Sequence, residues 1–189
     1  IPPRRWDIKI PEDLIEEIAR IYGYNNIPIT LPVTESTPGE LTTEQKAKRK
    51  IREILEGTGL QEAISYSLTT PEKATKFAIT DGELVTLQNP ASEDRVTLSQ
   101  NLVSGLIDIA KYNRAHQVTE IGLYEVGHVF YKESEDQFNE YNHIAGLLTG
   151  NDGKNWMGEE QALDFYTIKG IVETLLSQYA FEDQVTYHL

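Results

Sequence analysis

Three carboxylates, Asp13, Glu16 and Glu17, stand at i, i+3 and i+4 in the stretch PEDLIEEIARIY, residues 11–22. On a helix that spacing puts them on one face. Asp7 lies just upstream, close enough along the chain to fold back toward them. Oxygen ligands of this kind suit a hard cation such as Mg2+. The same acids equally suit the positive end of a helix dipole and a solvated face without a ligand. A second set is Glu133, Glu135, Asp136 and His143, an acid-rich stretch with one histidine. It reads as a loop that carries chemistry or as a solvated connection. A third set is Lys46, Lys48, Arg49, Lys50 and Arg52, cations on one helix that would meet phosphate, an acidic partner or water. No GxGxxG, P-loop, HExxH or GxSxG pattern is present, so none of the three is a catalytic signature by itself.

The elements that must position these residues centre on residues 119–131, TEIGLYEVGHVFY. Alternation sends Ile121, Leu123, Glu125, Gly127, Val129 and Tyr131 to one face. Gly122, Tyr124, Val126, His128 and Phe130 go to the other. Apolar residues on both faces predict a strand inside a sheet. The polar stretch 132–142 and the apolar run 143–150, HIAGLLTG, predict an antiparallel hairpin with a long connection. Pro11 opens a helix over 11–22, with Leu14, Ile18, Ile21 and Tyr22 as its apolar stripe and Gly23 as its stop. Residues 25–39 hold three prolines and read as a linker. Thr42 and Gln45 form a capping-box pattern that opens a helix over 42–56. Strands are expected at 62–68 and 84–88, a short helix at 71–77, and helices at 102–114 and 162–179, with 156–161 as loop. Mixed helices with short, hairpin-joined strands predict an α+β fold with an antiparallel sheet flanked by helices.

The chain has 189 residues, 39% of them hydrophobic and 25% charged, as in an ordinary globular protein. It contains no cysteine, which removes disulfides, thiolate metal sites and thiol catalysis. No run approaches the apolar length of a membrane span, and the expected location is the cytoplasm. A net charge of −13 repels phosphate backbones, which disfavours nucleic-acid binding by the chain as a whole. The start at Ile1 and a strand-like stretch at 184–189 suggest an excised fragment.

RWDI from Arg5, followed by EDLIEEIARIYGYNNIP from Glu12 to Pro28, resembles the β subunit of bacterial phenylalanyl–tRNA synthetase, at the end of its B5 domain. The resemblance continues through Leu31-Pro32, GLQEAISYSL from Gly59, LQNPASED from Leu87 and LYEVGHVF from Leu123, in family order over most of the chain. It implies a division into residues 1–28 as the end of B5 with its connecting helix, 29–40 as linker, and 41–189 as an incomplete class II synthetase-like core. The helix 42–56 with the strand 62–68 would match class II motif 1, and the hairpin motif 2. Catalytic class II enzymes carry an arginine near the end of the first motif 2 strand, which contacts the ATP phosphates. The equivalent residue here is Tyr131, and a phenol does not replace a guanidinium fork.

The family therefore implies a catalytically inactive core. It would pair with the catalytic α subunit in an (αβ)2 enzyme that charges tRNA(Phe) with phenylalanine, using ATP. Contact with tRNA(Phe) would come from other domains of the full subunit. The family also implies Mg2+ shared with the α subunit, on ligands that fall by motif position on Asp7, Asp13, Glu16 and Glu17. The chain departs from the family at LSQNLVS from Leu98, where an arginine and a proline are common and neither is present. Two other functions fit the sequence: an active class II-like enzyme that uses Lys132 on phosphate, and a class II paralogue that serves as an interaction or regulatory module outside tRNA charging.

Overall fold

The computed structural model describes residues 1–79, 82–134 and 137–179. The chain divides into two compact units, Ile1–Glu40 and Leu41–Leu189. The expected strand at 184–189 lies outside the described residues, as do Glu135 and Asp136 of the acid-rich stretch.

In the first unit, α1 runs over Pro11–Tyr22, the range the proline and Gly23 predict. Proline costs nothing at a first helical position, where no intrahelical partner awaits its missing N–H. Asp13 reaches back and accepts the backbone N–H groups of Lys9 (2.7 Å) and Ile10 (3.0 Å). Gly23 ends the helix at φ 96°, a conformation that costs glycine little, and its N–H donates to the Ala19 carbonyl. The apolar stripe of Leu14, Ile18, Ile21 and Tyr22 is exposed within this unit. A short turn of 3-10 helix, Tyr24–Asn26, leads into an irregular stretch without helix or strand, as its prolines predict.

In the second unit, α2 covers Thr43–Gly57 and is capped as predicted: the Thr42 hydroxyl accepts from Gln45 N–H, and the Gln45 side chain accepts from Thr42 N–H. The next strand was expected over 62–68. It is interrupted, leaving β1 at Gln61–Glu62 and β2 at Leu68–Thr69. The physical reason is a side chain: Glu125 accepts the Ser65 backbone N–H at 2.9 Å and so takes the place of a neighbouring strand's carbonyl. α3 is Pro71–Thr75, shorter than expected. The expected strand at 84–88 reduces to one isolated bridge, Thr86 to Thr97, with a second just before it, Glu83 to Lys132. β3, Thr97–Leu98, pairs antiparallel with β2. α4 follows at Val103–Ala115.

The hairpin is longer than its apolar residues suggest. β4 spans Ile121–Lys132 and β5 spans Phe138–Thr149, in continuous register from Ile121 opposite Thr149 to Lys132 opposite Phe138. Asn139, Glu140 and Asn142 stay in the ladder because strand pairing uses backbone groups, whatever the side chain. A second hairpin pairs β6 at Asn151–Lys154 with β7 at Glu160–Ala162; β7 takes Glu160 and Gln161 from the expected loop and Ala162 from the expected start of the last helix. α5 covers Phe165–Ser177, opened by Asp164, whose carboxylate accepts from Thr167 N–H.

The main sheet has the order β1-β4-β5 and is mixed: β4 pairs antiparallel with β5 but parallel with β1. The fold is α+β, and the expectation of an all-antiparallel sheet is corrected by the parallel pair. Both faces of β4 are covered, as the sequence predicts. Ile121 and Leu123 pack with Ala63 and with Leu106 and Ala110 of α4. On the other face Tyr124 packs with Leu55 of α2 and Leu60, flanked by Ile171 and Leu175 of α5. Burying a side chain the size of Leu106 stabilises by about 2 kcal/mol. The Tyr124 hydroxyl donates to Glu56 (3.2 Å), and burial pushes its pKa up to about 12. Among the described residues, no helix is long and apolar enough to cross a membrane.

Candidate functional site

The four carboxylates at the start of α1 are held by neighbours rather than by one another. The Arg5 guanidinium grips Asp7 through Nε (3.0 Å to Oδ1) and Nη2 (2.7 Å to Oδ2). The same Nη2 donates to Oε1 of Glu17 at 2.9 Å, and Arg20 takes the other Glu17 oxygen at 2.7 Å. Asp13 is engaged by the helix start. Glu16 is exposed, with no ion pair or side-chain hydrogen bond among the described residues. These contacts stabilise the ionised acids. Arg5 holds Asp7 below the usual carboxylate range. Arg5 and then Arg20 do so for Glu17. The Ile10 and Lys9 amides do so for Asp13. The donor type suits a hard cation, but the arrangement does not fit one. The lone pairs of Asp7 and Glu17 face arginines, and among the described residues no three acidic or histidine side chains form a group that could hold a metal ion.

At the end of β4, Tyr131 is buried. Its hydroxyl donates to the Gln100 carbonyl at 2.9 Å, and its ring lies 6.1 Å from that of Tyr141 on β5. It belongs to a core cluster with Leu102 and Val129. Lys132 next to it pairs with Glu83 at 3.4 Å. Glu133 accepts from Gln137 (2.9 Å) and Asn139 (2.6 Å), which ties the connection between the strands together. His143 sits half-buried opposite Gly127 in the β4–β5 ladder. Of the acid-rich set, Glu133 is thus engaged by its neighbours and His143 by the strand ladder, while Glu135 and Asp136 lie outside the described residues.

The basic helix divides in the same way. Lys48 pairs with Glu44, Lys50 with Glu53 and Arg52 with Glu62, at 2.9, 3.2 and 2.6 Å. Lys46 and Arg49 are exposed and carry no ion pair among the described residues. Three of the five cations are thus answered by acids, which weakens the helix's purchase on phosphate.

Two polar arrangements go beyond the sequence reading. Glu125 is 4% exposed on β4, and both its oxygens accept from the Ser65 hydroxyl, at 3.0 and 2.9 Å. His128 contacts Glu140 across the hairpin and lies 3.4 Å from Lys48 Nζ, while Asn142 reaches Glu44 at 3.2 Å. This polar seam fastens α2 to the hairpin. A cavity of about 350 Å3 opens beside it, lined by Arg52, Ser65, Asn101, Glu125, His128 and Glu140. Alternation alone places Glu125 and His128 on their faces. Naming their partners takes the hairpin register and the course of residues 63–67.

Comparison with known proteins supplies the family. The model described as "tRNA synthetase B5 domain" matches residues 1–24, and the one described as "Phenylalanyl tRNA synthetase beta chain CLM domain" matches residues 27–188. A phenylalanine–tRNA ligase beta subunit of Latilactobacillus sakei is 50% identical over 99% of this chain, and one of Geobacillus kaustophilus is 47% identical over 99%. In each case the chain covers 24% of the relative, so it spans about a quarter of the length of the proteins it matches. A solved pyrrolysyl tRNA synthetase of Desulfitobacterium hafniense has a similar fold, with a TM-score of 0.51 and 14% identity, over 71% of this chain and 46% of that one. With the core model matching residues 27–188, the chain belongs to the phenylalanyl-tRNA synthetase beta chain family.

Proposed function

We propose that this chain is the class II-like but catalytically silent core of a phenylalanine–tRNA ligase beta subunit. It supports ATP-dependent charging of tRNA(Phe) by pairing with a catalytic alpha subunit in an (αβ)2 assembly in the cytoplasm. The observation that carries the silence is Tyr131. By the motif correspondence it would stand where catalytic class II enzymes present a cation to ATP, and it is a phenol, buried and bonded to a backbone carbonyl. The adjacent Lys132 is engaged by Glu83, and the chain's charge of −13 opposes a triphosphate.

Three features favour the class II reading. A capped helix, α2, leads into a strand that runs parallel to β4, as a motif 1 element would. The β4–β5 hairpin is long and antiparallel, as motif 2 would be. The pyrrolysyl enzyme's similarity supports the same general fold. tRNA(Phe) itself would meet other domains of the full subunit. The Mg2+ proposed for Asp7, Asp13, Glu16 and Glu17 would be shared with the alpha subunit, which would supply the ligands these four lack in the present arrangement.

Size-exclusion chromatography with light scattering, on the chain mixed with a bacterial phenylalanine–tRNA ligase alpha subunit, tests the pairing. A joint peak heavier than either chain is expected. If a full-length beta subunit containing this sequence also runs apart from the alpha subunit, the chain is an interaction module outside tRNA charging.

A further inference from the structure

Glu125 is a buried carboxylate without a counter-ion: it is 4% exposed and belongs to no ion pair among the described residues. Its donors come from one residue. Oε1 takes the Ser65 amide at 2.9 Å, and the Ser65 hydroxyl lies 3.0 and 2.9 Å from the two oxygens. That hydroxyl has a single proton, and a carboxylate offers about four lone-pair sites, so part of its acceptor capacity stays open. A buried charge in that state is costly. The carboxylate lines a cavity of about 350 Å3. Two glycines keep space beside it: a Cβ on Gly127 would stand 3.5 Å from Oε1, and one on Gly105 would stand 3.9 Å from Oε2. The charged side chains around the cavity are three carboxylates, Glu62, Glu125 and Glu140, against the guanidinium of Arg52. That balance favours a cation over an anion. Leu102, Val126 and Phe130 supply an apolar wall. The cavity lies where β1 leaves β4. Ala63 N–H donates to the Tyr124 carbonyl, and the next backbone bond on that edge runs from Phe130 N–H to Ser99. Between them Val126 and His128 turn their backbone groups to the same edge and meet no backbone partner there among the described residues.

We propose that this cavity is a binding site for a small organic ammonium, a primary amine on a short apolar body, with Glu125 as its counter-ion. An ammonium brings three N–H donors and no acceptor. The open lone pairs of Glu125 and the edge carbonyls of Val126 and His128 are the acceptors that answer them. The wall of Leu102, Val126 and Phe130 takes the hydrocarbon. Ser65 is a positioning residue, since its amide fixes the carboxylate through Oε1. A carboxylate on the ligand would meet Glu125, Glu62 and Glu140 as like charges, so an anion of the same shape is refused.

The test is a nuclear magnetic resonance titration of the full chain at neutral pH with isoamylamine. Isoamyl alcohol and isocaproate, which carry the same branched body on a hydroxyl and on a carboxylate, are titrated beside it. The Ser65 and Gly127 amide signals shift saturably with the amine, roughly ten-fold more weakly with the alcohol, and not with isocaproate. Glu125→Gln keeps the shape and loses the charge, and weakens the amine roughly ten-fold. Gly127→Ala keeps the charge and fills space beside Oε1, and weakens it as well. Far-UV circular dichroism confirms that both variants are folded. Equal affinity of the native chain for amine and alcohol, a comparison that needs no variant, overturns the counter-ion role. So does undiminished amine binding by folded Glu125→Gln. Ammonium chloride that binds as well as isoamylamine overturns the apolar part of the site. The absence of a saturable shift, or shifts that leave Ser65 and Gly127 unmoved, overturns the site itself.

Discussion

Tyr131 donates its hydroxyl to the backbone carbonyl of Gln100 at 2.9 Å, inside the core and at the end of the long strand β4. A residue so placed is part of the packing. The bond closes the segment before α4 onto the hairpin, and the ring fills the space between Leu102, Val129 and Tyr141. The same position cannot offer a charge to a nucleotide. The scaffold reading thus follows from a core contact rather than from a missing residue.

Tyr131→Phe removes that bond and leaves the Gln100 carbonyl without it, which costs about 1 kcal/mol; Tyr131→Ala opens a cavity and costs about 3–5 kcal/mol. Urea unfolding monitored by circular dichroism measures both. A Tyr131→Phe midpoint equal to the native one would show that the bond contributes nothing.

Ser65→Ala strips Glu125 of its hydroxyl donor and leaves a buried carboxylate with the Ser65 amide. The expected loss is about 1.5–3 kcal/mol, with a coupling energy of about 1 kcal/mol in a double-mutant cycle with Glu125→Gln. Additive single effects would contradict the pairing.

Thr42→Ala removes the cap of α2 and costs about 1 kcal/mol. Thermal unfolding reads this directly, and Thr42→Ser restores most of the loss. Loss of the cap with no fall in melting temperature would mean that α2 is held by packing alone.

The α1 acids set a pH dependence whose sign is fixed by their direction of shift. Asp7, Asp13 and Glu17 all lie below their ordinary values in the folded chain, so their contribution is complete above the ordinary carboxylate range. It is lost as pH falls through the lowered folded values. The Lys9 and Ile10 amide signals report Asp13 directly and should titrate with a midpoint below that of a free aspartate. A midpoint at or above the free value would contradict the capping contact.

Much of this fold is legible in local signals. Pro11 with Gly23 and Thr42 with Gln45 mark helix ends through backbone geometry that two or three residues decide. The alternation around Leu123 and Tyr124 announces a strand covered on both faces. What stays hidden depends on contacts far apart in sequence. Residues 63–67 alternate like a strand, but Glu125, 60 residues downstream of Ser65, takes the amide that would have continued the ladder. Asn139, Glu140 and Asn142 lack apolar character, and their place in β5 is set by pairing with β4. The candidate site was legible as residue types on a helix face. Arg5 was not part of that pattern, because a cation's choice between solvent and Asp7 is made by the backbone that precedes the helix.

Phenylalanine-dependent exchange of pyrophosphate into ATP by the purified chain tests the central claim most directly. The buried Tyr131 and the paired Lys132 predict no exchange above the rate without protein, in the presence of Mg2+ and saturating phenylalanine. Robust exchange that disappears in Lys132→Ala would contradict the scaffold reading and make the chain an active enzyme.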